Sequence, residues 1–183
     1  MKKAYFLLVL FIVSLLLTGC ISISTQPFTS NAFVVKEGYL SLGKINENVA
    51  KQMPLVEKVA KNKIKIVNTK IYAGANGRSL IVECDFIFTS FEIPEGLPAI
   101  ARFTSSLVYN PKTKEFKLAN LQIKQIKFLK ENLVEFITPN QKKFIPDSLT
   151  AKLNELVLHK SKKRLKSIKN FIVKEGKIKI NFN

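Results

Sequence analysis

The chain has 183 residues, 46% of them hydrophobic, and its 30 lysines and arginines outnumber 13 acids for a formal net charge of +17. Such a length holds one domain with a real core. Its single histidine, His159, has no cysteine or carboxylate cluster at a metal-ligand spacing, which argues against a structural zinc site, and two cysteines are too few for a disulfide scaffold.

The amino terminus is organised as an export leader. Lys2 and Lys3 precede an apolar run from Ala4 to Leu16 that is short for a spanning helix and ends abruptly. The ending Leu17-Thr18-Gly19-Cys20 resembles the lipobox of bacterial lipoproteins. That resemblance implies cleavage before Cys20, a diacylglycerol on its sulfur and a palmitate-type acyl chain on the new amino group. At about 0.8 kcal/mol per buried methylene, several acyl chains anchor a protein almost permanently. No other cofactor is expected.

Residues 1–19 are therefore expected to be a signal peptide. Losing Lys2 and Lys3 leaves +15, and for an exported lipoprotein the polyanions within reach are phospholipid headgroups, lipopolysaccharide and wall polymers, not nucleic acid. Ile21 follows Cys20 where an aspartate would signal retention, which resembles an outer-membrane address facing the periplasm. With Cys20 lipidated, Cys84 has no disulfide partner. Its place among Leu80, Val82, Phe86 and Phe88 at alternate positions makes it a small buried hydrophobe.

Residues 20–38 are polar and without a sustained period, as expected of a lipidated tether. Residues 39–183 are expected to form a single domain. Ser41 is a predicted N-cap for a short helix with Leu42, Ile45, Val49 and Met53 on one face, stopped by Pro54. Leu55 to Ala60 is expected to add another helical turn.

From Lys63 the period becomes two. Ile64 and Ile66 alternate, then Val67, Thr69, Ile71 and Ala73 take the other parity, as though one residue had been inserted. Ala75 to Arg78 reads as a turn and Leu80 to Phe88 as a strand. Pro94 to Pro98 reads as a loop. Ala101, Phe103, Leu107 and Tyr109 mark a third strand, and Asn110 to Lys114 turns it into a fourth, whose parity slips twice between Phe116 and Phe128. Such slips need bulges, and bulges coil a sheet.

Pro146 and Asp147 are expected to begin a helix bearing Leu149, Leu153, Leu156 and Val157, and Leu165, Ile168 and Ile172 to extend it or form a second one. Lys177 to Phe182 alternates as a closing strand. The resulting fold class is α+β: a strongly curved antiparallel β-sheet wrapped around a C-terminal helix, with a short N-terminal helix.

No catalytic set emerges. Thr104, Ser105 and Ser106 lack the histidine or glycine frame of a nucleophile, and Glu131, Glu135 and Glu155 stand among lysines as ion-pair partners. The basic run Lys160 to Lys166 has two readings, a solvated helix face or a patch in which Lys160, Lys162, Lys163 and Arg164 contact anionic headgroups.

Leu40-Ser41-Leu42-Gly43-Lys44-Ile45-Asn46-Glu47-Asn48-Val49-Ala50-Lys51 resembles the opening helix of the YceB-like bacterial lipoproteins, and Val173 to Phe182 is similar to their closing strand. The resemblance implies a fold related to the tubular lipid-binding (TULIP) domains, in which a curved sheet and a helix leave an apolar groove for acyl chains. On that reading the groove candidates are the inward set Val82, Phe86, Phe88, Phe103, Leu107, Leu118, Leu153 and Val157. The expected function is non-enzymatic binding of lipid, fatty acid or another apolar ligand. The alternative is an envelope assembly lipoprotein with a packed core that binds another protein through a sheet edge or apolar patch.

Overall fold

The computed structural model describes residues 38–183, which belong to a compact unit spanning Val35–Asn183. The expected signal peptide, Cys20 and the expected tether as far as Glu37 lie outside the described residues. The domain is α+β, with nine strands and two α-helices among the described residues. Strands β2 (Leu55–Val59), β3 (Asn62–Ala73), β4 (Leu80–Thr89), β5 (Leu97–Asn110), β6 (Glu115–Phe128) and β7 (Val157–Lys160) form a six-stranded antiparallel sheet in chain order. Strands β1 (Gly38–Ser41), β9 (Lys177–Phe182) and β8 (Ile168–Lys174) form a three-stranded sheet in that order.

Strict alternation builds the middle of the large sheet. Leu80, Val82, Cys84, Phe86 and Phe88 all point inward on β4, and Ala99, Ala101, Phe103 and Leu107 do so on β5. The β3–β4 hairpin turns through Gly77, whose φ of 65° is costly for a residue with a Cβ. Its carbonyl accepts a 2.8 Å hydrogen bond from the Val173 N–H of β8 and so ties the hairpin to the small sheet.

Helix α1 (Leu42–Ala50) forms where the pattern predicts, with the Ser41 hydroxyl accepting from the Lys44 N–H and Leu42, Ile45 and Val49 buried. Helix α2 (Pro139–Glu155) packs against the large sheet and buries Ile145, Leu149 and Leu153. Both helices and both sheets share one apolar core.

Several expectations are corrected. Leu55 to Ala60 is strand β2 and not a helical turn, because Leu55–Val59 finds a ladder partner in Asn62–Ile66. The helix begins seven residues before Pro146: Thr138 and Gln141 form a capping box and Pro139 fills the first turn, so Pro146 sits inside it. Leu165 to Ile172 is no helix. Ile168–Lys174 pairs with β9 as β8, and the two elements turn through Gly176. Val67 is the extra residue of the β3 bulge and is exposed, not inward.

The expected bulges are present, but neither sheet is strongly curled. The slips of β6 fall where its register with β5 shifts, between Arg102 and Phe103 and between Thr104 and Ser106. Asn120 takes a φ of 52° at the second shift, and the Ser105 and Ser106 hydroxyls both donate to the Ala119 carbonyl there. These bulges return apolar residues to the inner face. Two helices and a second sheet share the covering of that face, so the large sheet has no single helix to wrap.

Candidate cleft between the two sheets

A hollow of about 660 Å³ opens between the end of β5 and the segment joining β7 to β8. One wall is Leu107, Val108, Tyr109 and Pro111. The other is Arg164, Leu165, Lys166 and Ser167 with Ile168 and Phe171 of β8. Three hydrogen bonds position the joining segment, two of them between backbone groups: Ser161 N–H to the Lys114 carbonyl at 2.9 Å and Asn183 N–H to the Ser167 carbonyl at 2.7 Å, with Leu165 N–H donating to the Tyr109 hydroxyl at 3.0 Å. On the opposite side, the Asn110 side chain accepts from the N–H groups of Lys112 and Thr113 and sets the β5–β6 turn.

Aromatic rings support the floor. Phe116 is fully buried and stands 4.8 Å from Tyr109, 5.9 Å from His159 and 6.0 Å from Phe171 between ring centroids. Tyr109 thus has its ring on the aromatic cluster and its hydroxyl on the Leu165 backbone, the usual division of a tyrosine's apolar and polar ends. Leu165, Ile168 and Phe171 are half-buried, while Arg164 and Lys166 are exposed at the rim. The arrangement offers an apolar trough beneath two cations. It suits a ligand with an apolar body and an anionic end.

The expected site residues divide by location. Val82, Phe86, Phe88, Phe103 and Leu153 are fully buried, Leu118 is nearly so, and Val157 is half-buried at the start of β7 while Leu156 and Leu158 beside it point inward. Of that set Leu107 lines the cleft, and Phe103 reaches a separate hollow with Arg102 and Lys124. The basic run is not a helix face. Lys160 ends β7 and pairs with Glu115 at 3.6 Å, whereas Lys162, Lys163 and Arg164 lie in the irregular joining segment; of the four, Arg164 lines the cleft. Cys20 lies outside the described residues.

Sequence reasoning missed Tyr109, Phe171 and Ile168 as cleft residues. The signal was present, since Ile168-Lys169-Asn170-Phe171-Ile172-Val173 before Glu175-Gly176 is one arm of a hairpin with Lys177–Phe182. Helical spacing of Leu165, Ile168 and Ile172 obscured it.

Burial pushes the Cys84 thiol up to about 12, far from a reactive thiolate. Burial, and then the charge of Lys44, lowers the pKa of His159. Lys152 bonds Glu57 of β2 at 2.9 Å and Glu155 at 3.1 Å, which raises its pKa; Glu131 and Glu135 make no ion pair among the described residues. No group of three or more histidine, cysteine, aspartate or glutamate side chains among the described residues is placed to hold a metal ion. No helix among them is long and apolar enough to cross a membrane. Models of known protein families give no match to the chain, and no curated protein is detectably similar to it.

Proposed function

We propose that the chain is a non-enzymatic, lipid-anchored protein of the bacterial envelope that holds the acyl part of an anionic amphiphile in the cleft between the two sheets. The observation carrying this reading is the pairing of an apolar floor, Leu107, Leu165, Ile168 and Phe171, with the rim cations Arg164 and Lys166. At about 660 Å³ the cleft falls within the size range of small-molecule sites. The lipobox-like Leu17 to Cys20 supports anchoring through a diacylglycerol and an N-acyl chain, and Ile21 supports an outer-membrane location facing the periplasm. The likeness of Leu40–Lys51 and Val173–Phe182 to the YceB-like lipoproteins supports an apolar ligand. The tight core packing of the sheet's inward residues supports the cleft, and not the inner face, as the place for such a ligand.

Titration of the Val35–Asn183 unit with a dansylated fatty acid tests the reading. Saturable binding that is lost in Ile168→Asp and weakened in Arg164→Gln is the expected result. Equal binding by the wild type and Ile168→Asp would refute it.

A second reading, an assembly lipoprotein that binds another protein, draws on the free edge of β2, where Val56 and Val59 are exposed. An open strand edge is a template for strand addition. A photo-crosslinker at Lys58 that captures one discrete partner in intact cells supports it, and a cell-wide absence of adducts removes it.

A further inference from the structure

The large sheet buries one face in the core and leaves cations across the other. Pairing register places Lys63 and Lys65 of β3 opposite Thr89 and Ile87, Lys70 opposite Glu83, Glu83 opposite Arg102, Arg102 opposite Gln125, and Ile100 opposite Lys127. These positions alternate with buried residues on β3, β4 and β5 and with the half-buried Ile126 and Phe128 on β6, and so point outward. Lys63, Lys65, Lys70, Arg102, Lys124 and Lys127 are exposed. The acids on this face are fewer: Glu83, Asp85 and Glu115, the last already paired with Lys117 and Lys160.

Apolar side chains are interleaved with these cations. Val56, Tyr72 and Val108 share the face by register, opposite Lys65, Ile81 and Lys117, and are 43 to 45% exposed. Near its middle the β6 bulge at Lys124 opens a second hollow of about 540 Å³, lined by Arg102, Thr104, Lys124 and Gln125 over Ile81 and Phe103. Lys124 is held by the Gln122 side-chain carbonyl at 3.2 Å, and Arg102 makes no ion pair among the described residues.

We infer that this outer face docks on an anionic phospholipid bilayer, with a lipid phosphate seated between Arg102 and Lys124. Charge complementarity selects the partner: each lysine or arginine close to an anionic surface adds attraction, and tyrosine is enriched at the headgroup boundary. Reach allows it. The 17 residues from Ile21 to Glu37 span about 55 Å when extended, against a radius of gyration of roughly 15 Å for a domain of this size. The inference shares the membrane setting of the proposed function but needs no ligand in the cleft.

The chain has no tryptophan, so one placed by substitution is an unambiguous reporter. The Val35–Asn183 unit carries the whole described core and serves for the assay. With phosphatidylglycerol vesicles, the emission of the Tyr72→Trp variant shifts to the blue, whereas that of Tyr39→Trp, on the small sheet, does not. Phosphatidylcholine vesicles shift neither. In the Tyr72→Trp background, R102Q/K124Q/K127Q weakens vesicle binding about a hundredfold, as three surface cations predict. The triple K51Q/K142Q/K143Q leaves it within about threefold, because Lys51 caps α1 and Lys142 and Lys143 lie on α2, the helices that cover the opposite face. Equal shifts from both reporters, or equal losses in both triples, mean diffuse attraction and overturn the docking face. An absence of binding to phosphatidylglycerol overturns it too. Binding here without fatty acid in the cleft would refute the proposed ligand alone.

Discussion

The side chain of Gln52 and the backbone of Val157 exchange two hydrogen bonds, Nε2 donating to the Val157 carbonyl at 2.8 Å and the Val157 N–H donating to Oε1 at 3.1 Å. Asn46 makes the same exchange with Ile71, at 3.0 and 2.8 Å. Amides at and just past helix α1 thereby satisfy the free edges of β7 and of β3 beyond its bulge, as a neighbouring strand would. Replacing Gln52 or Asn46 by alanine leaves paired backbone groups without a partner. Each change is expected to cost about 1–3 kcal/mol in urea denaturation. An effect indistinguishable from zero in both variants would show that the edges do not need closing.

Phe103 and Phe86 are core residues, each with no more than 1% of its surface exposed. Truncating either to alanine is expected to destabilise the domain by about 3–5 kcal/mol. The folded Phe103→Ala protein should bind a dansylated fatty acid as the wild type does, because the cleft lies elsewhere. Loss of binding without loss of stability would move the ligand site to the inner face.

Cys84 should be inert in the folded unit. With burial holding its pKa near 12, the thiolate is scarce at pH 8 and reagents cannot reach it. Mass spectrometry after iodoacetamide treatment should show no adduct until denaturant unfolds the chain. Rapid labelling under native conditions would contradict the packing of β4.

His159 gives the domain an acid-sensitive contribution. Its folded pKa is lowered, first by burial and then by Lys44, below the ordinary 6.5. The unfolded chain therefore takes up a proton that the folded chain resists, so this contribution is complete above pH 6.5 and is lost as pH falls through the folded pKa. Glu92, lowered chiefly by its hydrogen bond from Gln141, and Glu115, lowered chiefly by Thr113, act in the same sense below 4.5. Stability measured across pH 7 to 5 should fall for the wild type and less so for His159→Gln. Parallel curves would assign the loss to other groups.

Much of the large sheet was legible because Leu80 to Phe88 and Ala101 to Tyr109 alternate without ambiguity, and the inserted residue in β3 announced its bulge. Pro146 misled because a proline usually starts a helix, while the stronger start signal, Thr138-Pro139-Asn140-Gln141, lay upstream. Leu165, Ile168 and Ile172 fit helical spacing as well as alternation fits Ile168 to Lys174, and only pairing with β9 decides between them. The cleft was the least legible feature. It joins Tyr109 to Leu165 across 56 positions, a relation set by how two sheets meet and not by any local pattern.

Native mass spectrometry of the Ser22–Asn183 chain, purified from bacterial periplasm without detergent and followed by organic extraction, tests the central claim most directly. The cleft predicts a discrete added mass that extracts as a fatty acid or anionic phospholipid and disappears in Ile168→Asp. A clean unliganded mass that persists after incubation with lipid vesicles would contradict it and direct attention to the free edge of β2.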